Sequence, residues 1–534
     1  MHKLRIGIID VVANSPTTSL YARAMRANLA AIMPQVIAVW CEQEGHEVFL
    51  AYYAGHRNLV ETLPEDLDVV FVGAFTSAAE VAYAISRYYQ AKGAVTVLGG
   101  PHSRCYPEDA CRYFDYVLGF TDREVVNTVL HSCEPHRPMG IQLSAAQQPA
   151  QLPGVRERWK YIDRLLQEAP WVKIVSMIGS LGCPYTCSFC VDSVVPYQPL
   201  DFDVMKEDLR FLLTKFNRPI VGWHDPNFGV RFDDYLGTIE EAIPPDSIDF
   251  IAEATLSLLS ERNVQRLRKN GFKAMLPGIE SWYEMGNKSK TGRSVGLEKV
   301  TKVSDHINMI LGYLPYVQAN FVIGLDCDEG DEPFELTKQF LSRTPGAFPA
   351  FSMLTAFGRS APLNLEYQQQ RRVIPFPFHS LNNNGAMNVR PKNYEWTDLY
   401  DRMIDLREHA FSPGMIARRF SANRGSIPRI MNVLRGASSE GWGRTRYFRE
   451  VRRRLDTDRS FRGFFEQENT DVPAFFTEKV DTALGPLKEL LPGGGFDYDA
   501  YAYLKSTKRP EPASDGVSAA GVSPELQPQH SDTH

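Results

Sequence analysis

The chain has 534 residues, which at roughly 100 to 200 residues per domain predicts about three domains and excludes a mini-protein built on one small core. Hydrophobic residues make up 43% and charged residues 23%, with 38 Gly and 35 Pro, a globular balance that excludes fibrous, collagen-like and largely disordered classes. A formal net charge of −6, from 58 Lys plus Arg against 64 Asp plus Glu, is too balanced for a protein that coats nucleic acid along its whole surface.

Short β-branched runs alternate with longer amphipathic stretches over the first 130 or so residues: Leu4 to Asp10, Ser19 to Glu44, Val48 to Tyr53, Val69 to Gly73, Ser77 to Lys92, Val95 to Gly99 and Tyr116 to Leu118. Strand, helix, strand at this spacing predicts a doubly wound parallel sheet, whose ligands sit at the carboxyl ends of the strands. The loops that matter are then Val11 to Pro16, Ala74 to Ser77 and Gly99 to His102. A polar stretch with Pro and Gln from Cys133 to Pro153 breaks the alternation and reads as a linker.

A second α/β series follows, with strands predicted at Val172 to Ile178, Pro219 to Trp223, Asp249 to Ala254, Ala274 to Gly278, Val317 to Leu325 and Phe348 to Ala356. Helix-compatible segments such as Asp203 to Lys215, Ser260 to Asn270, Leu297 to Gly312 and Pro333 to Ser342 separate most of them. Six such repeats suit a partial (β/α)6 barrel, which works at the face formed by the loops after its strands.

Beyond about Gln368 the pattern turns helical and basic, with eleven Arg between Arg418 and Arg454 against Glu440 and Glu450. Such a run is a solvated helical face laced with salt bridges, or a surface for a phosphorylated substrate, a lipid headgroup or a nucleic acid. From Ser506 onward the composition buries little and reads as a disordered tail. The expected division is residues 1–135 for the doubly wound domain, 136–165 for the linker, 166–365 for the barrel, 366–505 for the helical region and 506–534 for the tail.

No uncharged apolar run reaches ~18 residues, and Met1 to Leu4 lead straight into a strand-like segment, so a cytoplasmic protein without a transmembrane span is expected. Eight Cys are too few for a disulfide scaffold, and Cys183, Cys187 and Cys190 crowd into eight positions right after the first barrel strand. Three thiolates on one folded-back loop can converge on one small inorganic object. A structural zinc site wants a fourth Cys or His nearby, and the next His downstream is His224. Three Cys without a fourth ligand suit a 4Fe-4S cluster with one iron left open.

The run Cys183-Pro184-Tyr185-Thr186-Cys187-Ser188-Phe189-Cys190, with Phe189 before the last Cys, resembles the signature of the radical S-adenosylmethionine (SAM) superfamily. The resemblance implies that Cys183, Cys187 and Cys190 bind the cluster and that SAM chelates its open iron. One electron from the reduced cluster, supplied by a donor such as flavodoxin or ferredoxin, then releases a 5′-deoxyadenosyl radical. It also nominates SAM contacts: Phe189; Asp225 and Asn227 in His224-Asp225-Pro226-Asn227-Phe228; Glu280 and Ser281 in Gly278-Ile279-Glu280-Ser281; and Asn320 and Gly324 in Asn320-Phe321-Val322-Ile323-Gly324-Leu325. Gly286 to Thr291 falls where relatives carry a similar Lys-Thr-bearing stretch. The common Gly-Gly-Glu motif is absent, so Asp225 or Asn227 stands in for it, and Asn320 stands where the first Gly of the fifth-strand motif would be.

The first domain adds a second likeness. Val97-Leu98-Gly99-Gly100-Pro101-His102, followed by Pro107-Glu108-Asp109 and Phe114 to Gly119, resembles the cobalamin-binding subgroup of that superfamily. Thr76, Ser77, Gly99, Gly100, Pro101 and His102 are the implied cobalamin contacts, although His102 can equally cap or orient its loop. No Asp-x-His-x-x-Gly occurs in residues 1–150 to supply a lower cobalt ligand, so cobalamin binds without a protein histidine or the pocket is a relic. The implied activity is cobalamin-dependent methylation of an unactivated carbon in a small-molecule or lipid pathway. Rivals are a radical cyclase, rearrangement or oxidation enzyme without net methyl transfer, and a non-catalytic iron-sulfur or cobalamin-binding module. A nucleic-acid partner is not expected, and peripheral membrane contact is open.

Overall fold

The computed structural model describes residues 3–12, 30–53, 63–133, 139–169, 172–283, 294–491, 497–502 and 504. Its first sheet holds β1 (Arg5–Val11), β2 (Glu47–Tyr53), β3 (Val69–Ala74), β4 (Val95–Gly99), β5 (Tyr116–Leu118) and β6 (Ile141–Leu143). They run in the order β2-β1-β3-β4-β5-β6, and every pairing is parallel. Side chains alternate across this sheet: Ile6, Ile8, Phe71 and Val97 pack under helices Ile32–Gln43 and Arg123–His131, while Ile9, Val70, Val72 and Leu98 face helix Ala79–Gln90. Burial on both faces explains the near-continuous apolar runs, each Val, Leu or Ile contributing about 1.5–3 kcal/mol. The stretch read as a linker contains the sixth strand, where Ile141 pairs with Tyr116 and Leu143 with Leu118. Three residues show no periodicity, so only pairing reveals it.

The second sheet follows in chain order: β7 (Ile174–Met177), the short β8 (Ser180–Leu181) and β9 (Gln198–Pro199), then β10 (Ile220–Trp223), β11 (Asp249–Ala252), β12 (Phe272–Met275), β13 (Gly278–Glu280), β14 (Tyr316–Ile323) and β15 (Phe348–Met353). Apart from the antiparallel β8-β9 pair, all strands are parallel, and β7, β10, β11, β12, β14 and β15 make a six-position open barrel. Helices Phe202–Lys215, Phe232–Ala242, Glu261–Lys269, Gly296–Tyr313 and Glu332–Arg343 wrap it. The single strand expected from Ala274 to Gly278 is two, β12 and β13, because Pro277 between them has no N–H for the ladder.

The third region is helical from Trp396–Ala410 onward, as expected, but residues 370–395 are largely irregular and reach back to the first domain. Phe378 stacks on Tyr498 with ring centroids 4.1 Å apart and lies 4.8 Å from both His102 and Tyr106. Glu80 is buried at this seam and accepts the His379 N–H at 3.1 Å. In the basic segment Arg435 pairs with Glu440, Arg449 with Glu408, Arg452 with Asp401, and Arg453 and Arg454 with Glu450, so this part is a salt-bridged face.

Burial pushes the Glu80 carboxyl up from 4.5 to about 8, against the lowering effect of the N–H groups it accepts. A carboxyl raised by folding stabilises the folded state when protonated, and that contribution disappears as pH climbs from 4.5 through about 8. In Glu80→Gln, urea titrations across this window should show a flatter pH dependence, by up to about 1.4 kcal/mol per pH unit.

Candidate active site

After β7 the chain enters β8, and pairing of Leu181 with Gln198 and Ser180 with Pro199 clips both ends of the intervening cysteine loop. Gly182 has φ +66°, and a Cβ there would stand 2.4 Å from the Pro196 carbonyl, so glycine lets the loop leave against its own return. Within the loop the Cys190 N–H donates to the Cys187 carbonyl at 3.0 Å, and the Leu363 N–H holds the Ser188 carbonyl at 3.0 Å. Cys183, Cys187 and Cys190 form no disulfide, Cys187 being buried and the other two half-buried. Among the described residues no three His, Cys, Asp or Glu side chains are grouped to hold a single metal ion. A cubane binds each thiolate through a different iron, so it needs a wider spread than one ion's shell. Three thiols on one clipped loop beyond a strand end are a donor set that fits it.

Two anchors sit beneath this loop. Asp225, fully buried after β10, accepts the Gly179 N–H at 3.0 Å, the Ser180 hydroxyl at 2.8 Å and the Tyr235 hydroxyl. Burial raises its pKa, and those donors oppose the rise. Asp225, nominated for SAM, is held by these three donors and latches the approach to the cysteines. Asn320 is the second, since its amide donates to the Leu276 and Pro277 carbonyls at 3.2 and 3.4 Å and accepts from Gln318 at 2.6 Å. It bridges the β12-β13 interruption.

Other nominees stay at the barrel's carboxyl rim. Asn227 accepts the Thr255 N–H at 2.9 Å, while its buried Nδ2 has no hydrogen-bond partner, an orphan donor of the kind a ligand satisfies. Glu280 ends β13 at φ +66°, a conformation that costs a non-glycine residue about 1–3 kcal/mol, and its carboxylate occupies the space where a Gly278 Cβ would lie. The Ser281 hydroxyl accepts the Tyr283 N–H at 3.2 Å and lies 3.7 Å from Cys327 Sγ. Gly324 turns at φ +88°, with its N–H and that of Leu325 both on Asp328 at 3.1 Å. Phe189 is half-buried in the cysteine loop. Gly286 to Thr291 lie outside the described residues.

The first domain meets this rim across a cleft of about 590 Å³. One wall is Asp10, Val12, Gly73, Phe75, Gly99, Gly100 and Pro101 at the carboxyl edge of the first sheet; the other is Gly182, Asp192 and Val195 of the cysteine loop with His224. Strand order reverses between β1 and β3, so this is the sheet's topological switch point. Gly100, at φ +96°, lets β4 end against Ala74, whose carbonyl would be 2.8 Å from any Cβ.

Thr76, Ser77 and His102, nominated with these glycines, are buried and lie off the cleft. His102 Nε2 is 2.6 Å from the Tyr83 hydroxyl, which donates to Asp109 at 2.6 Å, and burial lowers the imidazole pKa to about 3. The Ser77 carbonyl faces His379 Nδ1 at 3.3 Å. These three build the seam to the third region. Sequence reasoning missed Asp10, Phe75 and His224. Asp10 had a signal, a carboxylate closing an apolar strand, and burial pushes it up to about 7 while it accepts the Ala31 N–H at 2.7 Å. Phe75, 54% exposed beside the glycines, had only its place in the Ala74 to Ser77 loop.

No family model matches the chain. It is 22% identical over 369 residues to bacteriochlorophyllide d C-12(1)-methyltransferase of Chlorobaculum tepidum, covering 67% of this chain and 78% of that one. Bacteriochlorophyllide d C-8(2)-methyltransferase of the same organism is 24% identical over 316 residues, 55% of this chain and 66% of that one. Among solved structures, the cobalamin-dependent S-adenosylmethionine radical enzyme OxsB, with aqua-cobalamin and S-adenosylmethionine bound, superposes with a TM-score of 0.51 at 12% identity, over 96% of this chain and 82% of that one. This chain has the fold of the cobalamin-dependent radical SAM enzymes. In that fold the doubly wound sheet, the open barrel and the helical region found here form one continuous body, and the cysteine loop lies between sheet and barrel mouth.

Removing the Asp225 carboxylate strands three buried donors, at about 1–3 kcal/mol for each unsatisfied group. Asp225→Ala should lower unfolding free energy in urea by about 3 kcal/mol or more, and Asp225→Asn by less, since one amide oxygen still accepts. An unchanged midpoint in Asp225→Ala would show that the latch carries no load.

Proposed function

We propose that this chain is a cobalamin-dependent radical SAM enzyme that methylates an unactivated carbon of a small-molecule or lipid substrate. One observation carries the reading: a single cleft is walled on one side by the switch-point edge of the first sheet and on the other by the three-cysteine loop. Cys183, Cys187 and Cys190 would hold the 4Fe-4S cluster, and Gly99, Gly100, Pro101 and Phe75 would border cobalamin, their small or flat side chains allowing a macrocycle close to the backbone. When bound, these groups supply reductive cleavage of SAM and a transferable methyl, chemistry that no side chain offers.

The chain's own residues position and exclude. Asn227, with its unpartnered amide donor, and Glu280, held at φ +66°, are the rim groups suited to a polar nucleotide. His224 is exposed to the cleft it lines, and desolvation by the surrounding atoms, aided by the Arg158 charge, lowers its pKa, so it offers the cleft a neutral imidazole. At Glu253, exposed just past β11, desolvation by neighbouring atoms and then the charge of Asp192 in the cysteine loop raise the carboxyl above its ordinary range. No helix of the described residues is long and apolar enough to cross a membrane, and a reduced flavodoxin or ferredoxin would deliver the electron.

Anaerobic purification with iron, sulfide and cobalamin quantified together should find about four iron and four sulfide per chain, as one cubane requires, and one cobalamin. Cys187→Ala should lose the iron and all 5′-deoxyadenosine formation while still binding cobalamin; retained 5′-deoxyadenosine would reject the cluster assignment. A product heavier by one methyl, with S-adenosylhomocysteine formed alongside 5′-deoxyadenosine, separates methylation from radical chemistry without methyl transfer.

A further inference from the structure

We infer that the helical hairpin on the far side of the barrel from the cleft is a docking surface for an anionic lipid bilayer. Helix Pro413–Ala422 and helix Ser426–Ala437 pack together, and the second presents Ile427, Ile430 and Leu434 to solvent at 75%, 53% and 50% exposure. The spacing of three and four puts them on one helical face. Phe420 on the first helix is also exposed, and the Arg429 guanidinium lies over its ring at 5.4 Å from the centroid. Scattered exposed apolar residues are ordinary, but four large ones on one hairpin form a patch.

Charge selects the occupant. From Pro413 to Ser439 the chain carries five arginines and no Asp or Glu. Two are spent inside the protein: Arg419 is buried on the Ala410 carbonyl, and Arg435 pairs with Glu440 and bonds the Tyr316 hydroxyl at 2.6 Å. Arg418 and Arg424 are exposed and Arg429 half-exposed, so cations border the apolar stripe. An interfacial helix that buries an apolar face at the acyl boundary while arginines meet headgroup phosphates has this composition. A second copy of the chain would set the three remaining arginines against three, which disfavours self-association through this patch.

Placement makes the surface compatible with turnover. The Asn423 amide donates to the Gly346 carbonyl at 3.0 Å and Arg418 to the Ser342 carbonyl at 3.3 Å, both just before β15, and Arg435 reaches Tyr316 at the start of β14. The hairpin therefore covers the amino ends of the strands, and a bilayer there leaves the cysteine loop and cleft open.

Flotation of the full chain with phosphatidylglycerol–phosphatidylcholine vesicles, and with pure phosphatidylcholine vesicles, tests the proposal. Binding should need the anionic lipid and weaken in 0.5 M salt. Ile427→Ser with Leu434→Ser should lose tenfold or more, and Arg424→Gln or Arg429→Gln about fivefold each. Ile427, Leu434 and Arg424 are exposed, so thermal melting of their variants should stay unchanged and separate lost docking from lost folding; Arg429 also bonds the Asn423 carbonyl at 2.9 Å, and Arg424→Gln is therefore the charge variant that decides. Absent or equal binding to the two vesicle types, variants that bind like wild type, or a wild-type dimer that the Ile427 and Leu434 changes split into monomers would each overturn the inference.

Discussion

Parallel strands deliver the loops that leave them to one end, and this chain sets two parallel sheets so that those ends confront each other across one cleft. The cysteine loop and the switch-point glycines gather there, where irregular backbone lies beside both sheets. The cysteine loop is the shared wall. It belongs to the barrel by sequence and to the first domain by proximity, through Gly182, Asp192 and Val195. A group reduced on the loop and a group cradled on the sheet edge would then be neighbours without any domain movement.

Holding that confrontation takes buried polar joints as well as apolar packing. The largest apolar core runs from the first sheet through the barrel into the final helices, whereas a second core stays largely with the first domain. Carboxylates mark the joints: Asp225 beneath the cysteine loop, Asp328 at the Gly324 turn, Glu80 at the seam to the third region. Burial raises the pKa of each, and each is answered by backbone N–H groups. A buried carboxylate near a mouth therefore serves in this chain to pin loops, which is why polar residues at strand ends divided into ligand candidates and fasteners.

The division shows which signals a sequence carries. Strands with four or more residues buried on both faces were legible from their apolar runs, and helices from their 3.6-residue period. β6, with three residues, and the β12-β13 break at Pro277 were not, since each depends on a partner strand distant in sequence. Cys183, Cys187 and Cys190 were legible because their spacing is itself the geometry of a loop. Asp225, Asn320 and His102 show the opposite case: an acceptor or imidazole at a strand end looks the same in sequence whether it faces a ligand or a protein partner such as Tyr235, Pro277 or Tyr83. The basic run likewise reads alike along the chain, yet Arg449 to Arg454 are neutralised by carboxylates while Arg424 stays exposed.

By itself, then, the amino-acid order determined two parallel α/β units, a helical end and one cysteine loop with a missing fourth ligand, because periodicity and local spacing act between residues near in sequence. Tertiary structure alone decided that the two sheets share a cleft, that Asp10 and Phe75 line it, and that Thr76, Ser77 and His102 turn away into a seam. Those outcomes rest on contacts between residues as far apart as Ser77 and His379, and no local pattern encodes which of many compatible surfaces a core will bring together.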